Sequence, residues 1–248
     1  MNPLGHDYTF SGAFTGDMTL TKSMQGKATF NDGLAHTGQT IVSEGALCVN
    51  GTVAGPVELR AKGTLCGDMT LKDTVTFEGA LNYEGCRLIP VGVMTFKKSV
   101  TLPGDVYVEL TTAGNSLYVE GNLTFKGTNY ISIATNLEPT TYTVAECTGT
   151  LTCDVTKLKT RGLDGINYDF EVVDGKKLVL KINYSRAPQQ NVVWTGAESK
   201  VWDYKAQNFD FNGTTSFVSG DAVVFNAQGQ QKSITVNEMV VTSGVNFD

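Results

Sequence analysis

Asp68, Lys72 and Asp73, with Arg60 and Lys62 one repeat earlier, are the best charged cluster available for chemistry. Paired carboxylates, or acidic calcium ligands beside a Lys or Arg, can cleave a polysaccharide when they share one outer face. The same residues also read as solvated turn charge. Asp17, which stands where Asp68 does in an echo of this segment, has Lys22 near it rather than a Lys-Asp pair. His6 and His36 are the chain's two histidines, and nothing beside His36 supplies the oxyanion turn of a hydrolytic triad. Trp194, Trp202 and Tyr204 can form a sugar-stacking platform, since aromatic faces join apolar area to a polar tip. They can equally form a packed core, because Trp202 and Tyr204 share strand parity.

Five cysteines leave at least one thiol unpaired. Cys48, Cys66 and Cys86 are each about one repeat apart, and read as a stacked column of small, half-buried thiols. A disulfide between neighbouring repeats is sterically allowed. Cys147 and Cys153 flank Thr148-Gly149-Thr150 and can face each other across a hairpin. None of these spacings is a Cys-x-x-Cys zinc pair, and no catalytic residue, metal or cofactor is expected.

The elements that would position these residues show a short period. Gly45-Ala46-Leu47-Cys48, Gly63-Thr64-Leu65-Cys66 and Gly79-Ala80-Leu81-Asn82 recur at nearly equal intervals, and Gly26 to Phe30 looks like an earlier copy. Gly16-Asp17-Met18-Thr19-Leu20 returns unchanged as Gly67-Asp68-Met69-Thr70-Leu71, three such intervals further on. Glycine followed by alternating apolar residues at a fixed period indicates stacked strands. Leu47, Leu65 and Leu81 would then share one interior column, about 4.8 Å apart. Val57 with Leu59, Met69 with Leu71 and Val75 with Phe77 are inward pairs, and Glu58, Thr70 and Thr76 between them face water.

Tyr8 to Phe14 reads as a first strand that Met18 and Leu20 continue, and Asn31-Asp32-Gly33 as a turn. Phe170 to Leu180 is the clearest hairpin, with Asp174-Gly175 between two alternating runs. Both tryptophans follow residue 190, with Phe209, Phe211, Phe217 and Phe225 close behind them. With 248 residues and 41% hydrophobic content the chain can bury a large core, and 27 glycines spread along it suit many tight turns. A net charge of −6 and the lack of a basic run argue against a nucleic-acid partner. No apolar segment is long enough to span a membrane. Residues 1–5 show no leader pattern, so the expectation is a chain that starts after its signal.

Tyr8-Thr9-Phe10-Ser11-Gly12, Met18-Thr19-Leu20-Thr21-Lys22, Ala28-Thr29-Phe30, His36-Thr37-Gly38-Gln39-Thr40 and Gly45-Ala46-Leu47-Cys48-Val49 follow one another in an order that resembles the autotransporter-associated β-strand repeat. His36 stands where that pattern has Tyr. The tail, Val193-Trp194-Thr195-Gly196 through Trp202-Asp203 and Asn208 to Gly220-Asp221-Ala222-Val223-Val224-Phe225, is similar to a block found beside such repeats, with Phe209 where Trp is common. The resemblance implies a right-handed β-helix in a secreted or surface protein of a Gram-negative-type bacterium, acting as a stalk without catalytic residues.

The fold expected is therefore all-β: a right-handed parallel β-helix over 1–135, a hairpin-rich β segment over 136–185 that continues the solenoid, and a Trp-rich β module over 186–248. The function expected is a structural, non-catalytic stalk, adhesin or filament unit at the cell surface. The alternative is a carbohydrate-active β-helix, either a lyase or hydrolase or a glycan-binding module. Val240 to Asp248 reads as the natural predecessor of Tyr8 to Gly12, so end-to-end self-association is expected. A host or matrix glycan or protein is the other partner; nucleic acid and direct membrane insertion are not.

Overall fold

A computed structural model describes residues 6–78, 85–112, 114–133, 141–161, 167–183, 187–204, 206–236, 240 and 242–248. The described residues are strands and turns, with one short 3-10 turn at Val155–Lys157. The chain divides into two units: residues 1–134, 142–161 and 170–180 form the first, and 135–141, 162–169 and 181–248 the second.

In unit one, short strands alternate buried and exposed side chains, so each carries one apolar edge that must be covered. They are covered by stacking. Tyr8–Phe10, Lys27–Phe30, Gly45–Val49, Gly63–Gly67, Arg87–Pro90, Tyr107–Leu110, Asn129–Ile133 and Leu158–Arg161 lie side by side, in that order, in an eight-stranded sheet. Every pairing among them is parallel. After Gly45–Val49 the chain enters a second sheet at Gly51–Val53 and a third at Val57–Leu59 before returning at Gly63–Gly67. The same circuit recurs. The second sheet gains Met69–Leu71, Val93–Phe96, Ser116–Val119 and Thr141–Cys147, each parallel to the one before. The third position is held by Leu20–Lys22, Thr40–Val42, Val57–Leu59 and Val75–Phe77, and then by Val100–Leu102, Leu123–Phe125 and Leu151–Thr152.

The register builds the core. Ala28, Leu47, Leu65, Leu88, Val108 and Ile131 pair in turn along the eight-stranded sheet. All but Ala28 are buried, and each large member contributes about 2 kcal/mol. Val57, Leu59, Met69, Leu71 and Val75 are buried, while Glu58, Thr70 and Thr76 between them are at least partly exposed, as the alternation predicts. At the corners, buried asparagines satisfy the turning backbone: Asn129 accepts from the Val106 N–H at 3.2 Å, and Asn115 from the Gly92 N–H at 2.8 Å. Gly67 has φ +119°, and a Cβ there would overlap the Val49 carbonyl oxygen, so this corner requires glycine.

Several sequence expectations change. Leu81 lies outside the described residues, and the side chain that follows Leu65 in its column is Leu88, because Arg87–Pro90 pairs directly with Gly63–Gly67. The two Gly-Asp-Met-Thr-Leu copies are not equivalent: Leu20–Lys22 belongs to the third position and Met69–Leu71 to the second sheet. Met18 does not continue the first strand but is 56% exposed. Cys48 and Cys66, directly paired in register with Cα atoms 4.4 Å apart, form a disulfide rather than a column of thiols. Cys86 leaves that column, since Ile89 is the residue paired with Cys66. Cys147 and Cys153 are free, and no hairpin joins them: Thr141–Cys147 and Leu151–Thr152 lie in different sheets. The Asp174-Gly175 turn is present, with φ +53° and +63° and the Lys176 N–H donating to the Val173 carbonyl. It links Asn167–Val173 to Lys177–Asn183, neighbours in the second sheet.

In unit two, Val192–Trp194 pairs parallel with Ala222–Phe225 and antiparallel with Phe209–Asp210, and Gly244–Phe247 extends the sheet. Val192, Trp194, Trp202, Phe209, Phe217 and Val223 form the core. Two buried polar side chains organise the loops around it. The Asn208 carbonyl oxygen accepts from the Glu198 and Ser199 N–H groups at 2.9 and 2.8 Å, while its amide donates to the Val201 carbonyl at 2.7 Å. The Asp221 carboxylate accepts from the Gln189 and Val218 N–H groups, each at 2.8 Å.

Candidate functional site

The residues with chemistry-bearing spacing are not brought together. Asp68 and Asp73 lie beyond opposite ends of the Met69–Leu71 strand, at successive corners of the circuit. Arg60 pairs instead with Glu58 on its own edge, Nε to Oε1 at 2.6 Å. The free thiols are poor nucleophiles. Burial pushes Cys86 up to about 12, and its Sγ donates to the Leu59 and Glu78 carbonyls. Burial likewise pushes Cys153 up to about 11 and raises Cys147.

Trp194 and Trp202 are 1% and 6% exposed, so neither indole presents a free face, and Tyr204 packs against the same cluster. Trp194 meets Phe209 edge-on at 5.2 Å and donates its Nε1–H to the Gln231 carbonyl at 3.2 Å. Trp202 meets Phe217 edge-on at 5.4 Å. These are packing geometries.

His36 is fully buried, edge-on to Phe14 at 5.4 Å, with Nε2 3.0 Å from the Thr40 hydroxyl and no hydrogen-bond partner on Nδ1. Burial lowers its pKa from 6.5. The unfolded chain binds a proton that the fold disfavours, so stability is full above pH 6.5 and falls as pH drops toward the folded value. His36→Gln is expected to shrink the loss in unfolding midpoint between about pH 7.5 and about pH 5. An unchanged loss in that variant would assign the pH dependence elsewhere.

The group that does converge is in unit one. A cleft of about 440 Å³ is lined by Gln25, Gly26, Glu44, Gly45, Lys62, Gly85, Arg87, Tyr107 and Arg161. Its floor is a row of corners: Gln25-Gly26, Glu44-Gly45, Lys62 and Gly85 each lie just before, or begin, a strand of the eight-stranded sheet. At Gly85 a Cβ would overlap the Asp105 carbonyl oxygen, so only glycine lets adjacent corners come this close. Lys22 ties one end together, its Nζ donating to the Met24 and Glu44 carbonyls at 2.7 and 3.0 Å. Desolvation lowers the Lys22 pKa, against the pull of Glu44 and Asp7.

The other end is cationic and aromatic. Arg87 and Tyr107 are paired in register, as are Tyr107 and Tyr130, and the tyrosine rings stack at 4.7 Å and 10°. Leu88 and Val108, the next residues, point into the core, so Arg87 and Tyr107 project from the opposite face, where Tyr107 is only 8% exposed. Arg161 reaches back from Leu158–Arg161 with its guanidinium 4.8 Å from the Tyr107 ring centroid and 5.9 Å from that of Tyr130. Arg87 sits 5.7 Å from the Tyr107 centroid and 3.8 Å from Glu109 Oε2, too far for a hydrogen bond. Two guanidinium groups are thus held by ring stacking beside a Lys, with an acid at the far end. Sequence reasoning singled out Lys62 but neither Arg87 nor Arg161. The signal was the shared outward parity of Arg87, Tyr107 and Tyr130, visible only with the register.

No protein-family model matches the chain, and no curated protein matches it significantly.

Proposed function

We propose that unit one is a right-handed parallel β-helix and that the chain is a structural, non-catalytic segment of a secreted or cell-surface bacterial protein. The observation that carries the reading is the repeated parallel return to the eight-stranded sheet. The chain comes back at Leu47, Leu65, Leu88, Val108 and Ile131 at short, similar intervals, with the other sheets visited between returns. Parallel crossovers are right-handed in about 98% of cases. A stack of this kind couples neighbouring coils and yields length rather than a single enclosed site, which suits a stalk. The repeat resemblance of residues 8–49 and 193–225 supports the surface assignment.

Edge strands offer the route to longer assemblies. Phe10 stacks on Phe30 at 4.7 Å and Phe247 on Phe225 at 5.3 Å, and Phe10 and Phe247 are 47% and 79% exposed. A further strand, from the same protein or another copy, would continue either ladder. The test combines three measurements: protease shaving of intact cells, sedimentation against concentration, and a polysaccharide panel assayed for reducing ends and unsaturated sugar. Loss of the chain on shaving, concentration-dependent association and no sugar release are expected. Sugar release that disappears in Asp68→Asn would overturn the reading in favour of an enzyme.

A further inference from the structure

We propose that the unit-one cleft binds an oligosaccharide containing uronic acid. Arg87 and Arg161 would take the carboxylate, and the corner groups with Glu44 would take the hydroxyls. Three features carry this beyond the structural role, and none depends on it. First, a planar guanidinium fork matches a carboxylate, and stacking on Tyr107 and Tyr130 holds the Arg161 group in place, so less freedom is lost on binding. Second, the charges are divided. Arg87 and Arg161 favour an anion, with Glu109 3.8 Å from Arg87 offsetting part of that charge, whereas Glu44 accepts hydrogen bonds and repels an anion. A ligand charged along its whole length would be penalised at Glu44; one that carries a carboxylate among many hydroxyls satisfies both ends. Third, the cleft's lining is largely backbone corners and polar side chains, with Tyr107 as its aromatic member. Its volume of about 440 Å³ falls in the ~300–1,000 Å³ range of small-ligand sites. An acidic peptide would find no apolar subsites for its side chains there.

The net charge of −6 works against general attraction of anions, so saturable binding would report this local group of cations. The experiment is calorimetric titration of the full chain with trigalacturonate at low salt, beside neutral maltotriose and triglutamate. Trigalacturonate is expected to bind at least about tenfold more tightly than either comparison ligand. Arg87→Gln/Arg161→Gln is expected to lose about tenfold or more with an unchanged unfolding midpoint. Lys72→Gln, which removes a cation at a different corner, is expected to lose nothing. Should the double variant melt early, Arg161→Lys replaces it; that variant keeps the charge but not the planar fork, and weaker binding is expected. No binding of trigalacturonate, equal binding of maltotriose, equal binding of triglutamate, or an equal loss in Lys72→Gln would each overturn the proposal.

Discussion

Leu65→Asp is expected to unfold the middle of unit one, at a cost of more than about 4 kcal/mol. Leu65 is fully buried and sits in register between Leu47 and Leu88, themselves fully or almost fully buried. Removing the leucine loses about 2 kcal/mol of apolar burial. The carboxylate then enters a column with no cation in it, and must either take up a proton or drag the strand toward water. The damage is expected to spread to the Gly45–Val49 and Arg87–Pro90 strands, which lose their stacking partner, and to fade beyond them, since contacts in such a stack run between neighbours. Leu65→Ala, which leaves a cavity and no charge, should cost about 2–5 kcal/mol. Thermal unfolding followed by circular dichroism measures both, and amide exchange locates the loss. A Leu65→Asp protein that melts like the parent would show that this column is not the interior.

That prediction could be made from the sequence because alternation needs only local information. Val57, Leu59, Met69 and Leu71 could be assigned inward from their own neighbours, and they are buried. What failed depended on which strand sits beside which. The Gly79-Ala80-Leu81 phrase suggested Leu81 as the next rung, but the chain pairs Leu88 there, so this step is longer than the one from Leu47 to Leu65. Corners absorb extra residues freely, because a loop's closure cost rises only slowly with its length. Letter identity therefore does not report structural equivalence, as the Gly-Asp-Met-Thr-Leu copies in two different sheets show. The cysteines were misread for a related reason. The first step set Cys48 opposite Cys66, close enough to bond, but the longer next step moved Cys86 off the column. The cleft depends still more on register. Arg161 is far from Arg87 along the chain, and only three successive strand pairings bring both guanidinium groups to one tyrosine.

Trp194→Ala is expected to cost unit two about 3–5 kcal/mol, enough to unfold it at ambient temperature if it folds as its own body. Its core holds six fully or largely buried side chains, and Trp194 is the largest of those under 2% exposed. The indole contacts Phe209 at 5.2 Å and Phe225 at 6.0 Å, so both rings lose a neighbour at once. The Gln231 carbonyl also loses its Nε1–H donor. Unit one draws its stability from the stacked leucine and valine columns, and no residue of those columns belongs to unit two. Loss of the near-ultraviolet signal of Trp202 is therefore expected together with retained amide protection at Leu47, Leu65 and Leu88. Trp194→Phe, which keeps an aromatic ring but gives up the hydrogen bond, should recover most of the signal. If amide protection in the two units collapses together in Trp194→Ala, the chain is one cooperative body and the division at residues 181–248 has no energetic meaning.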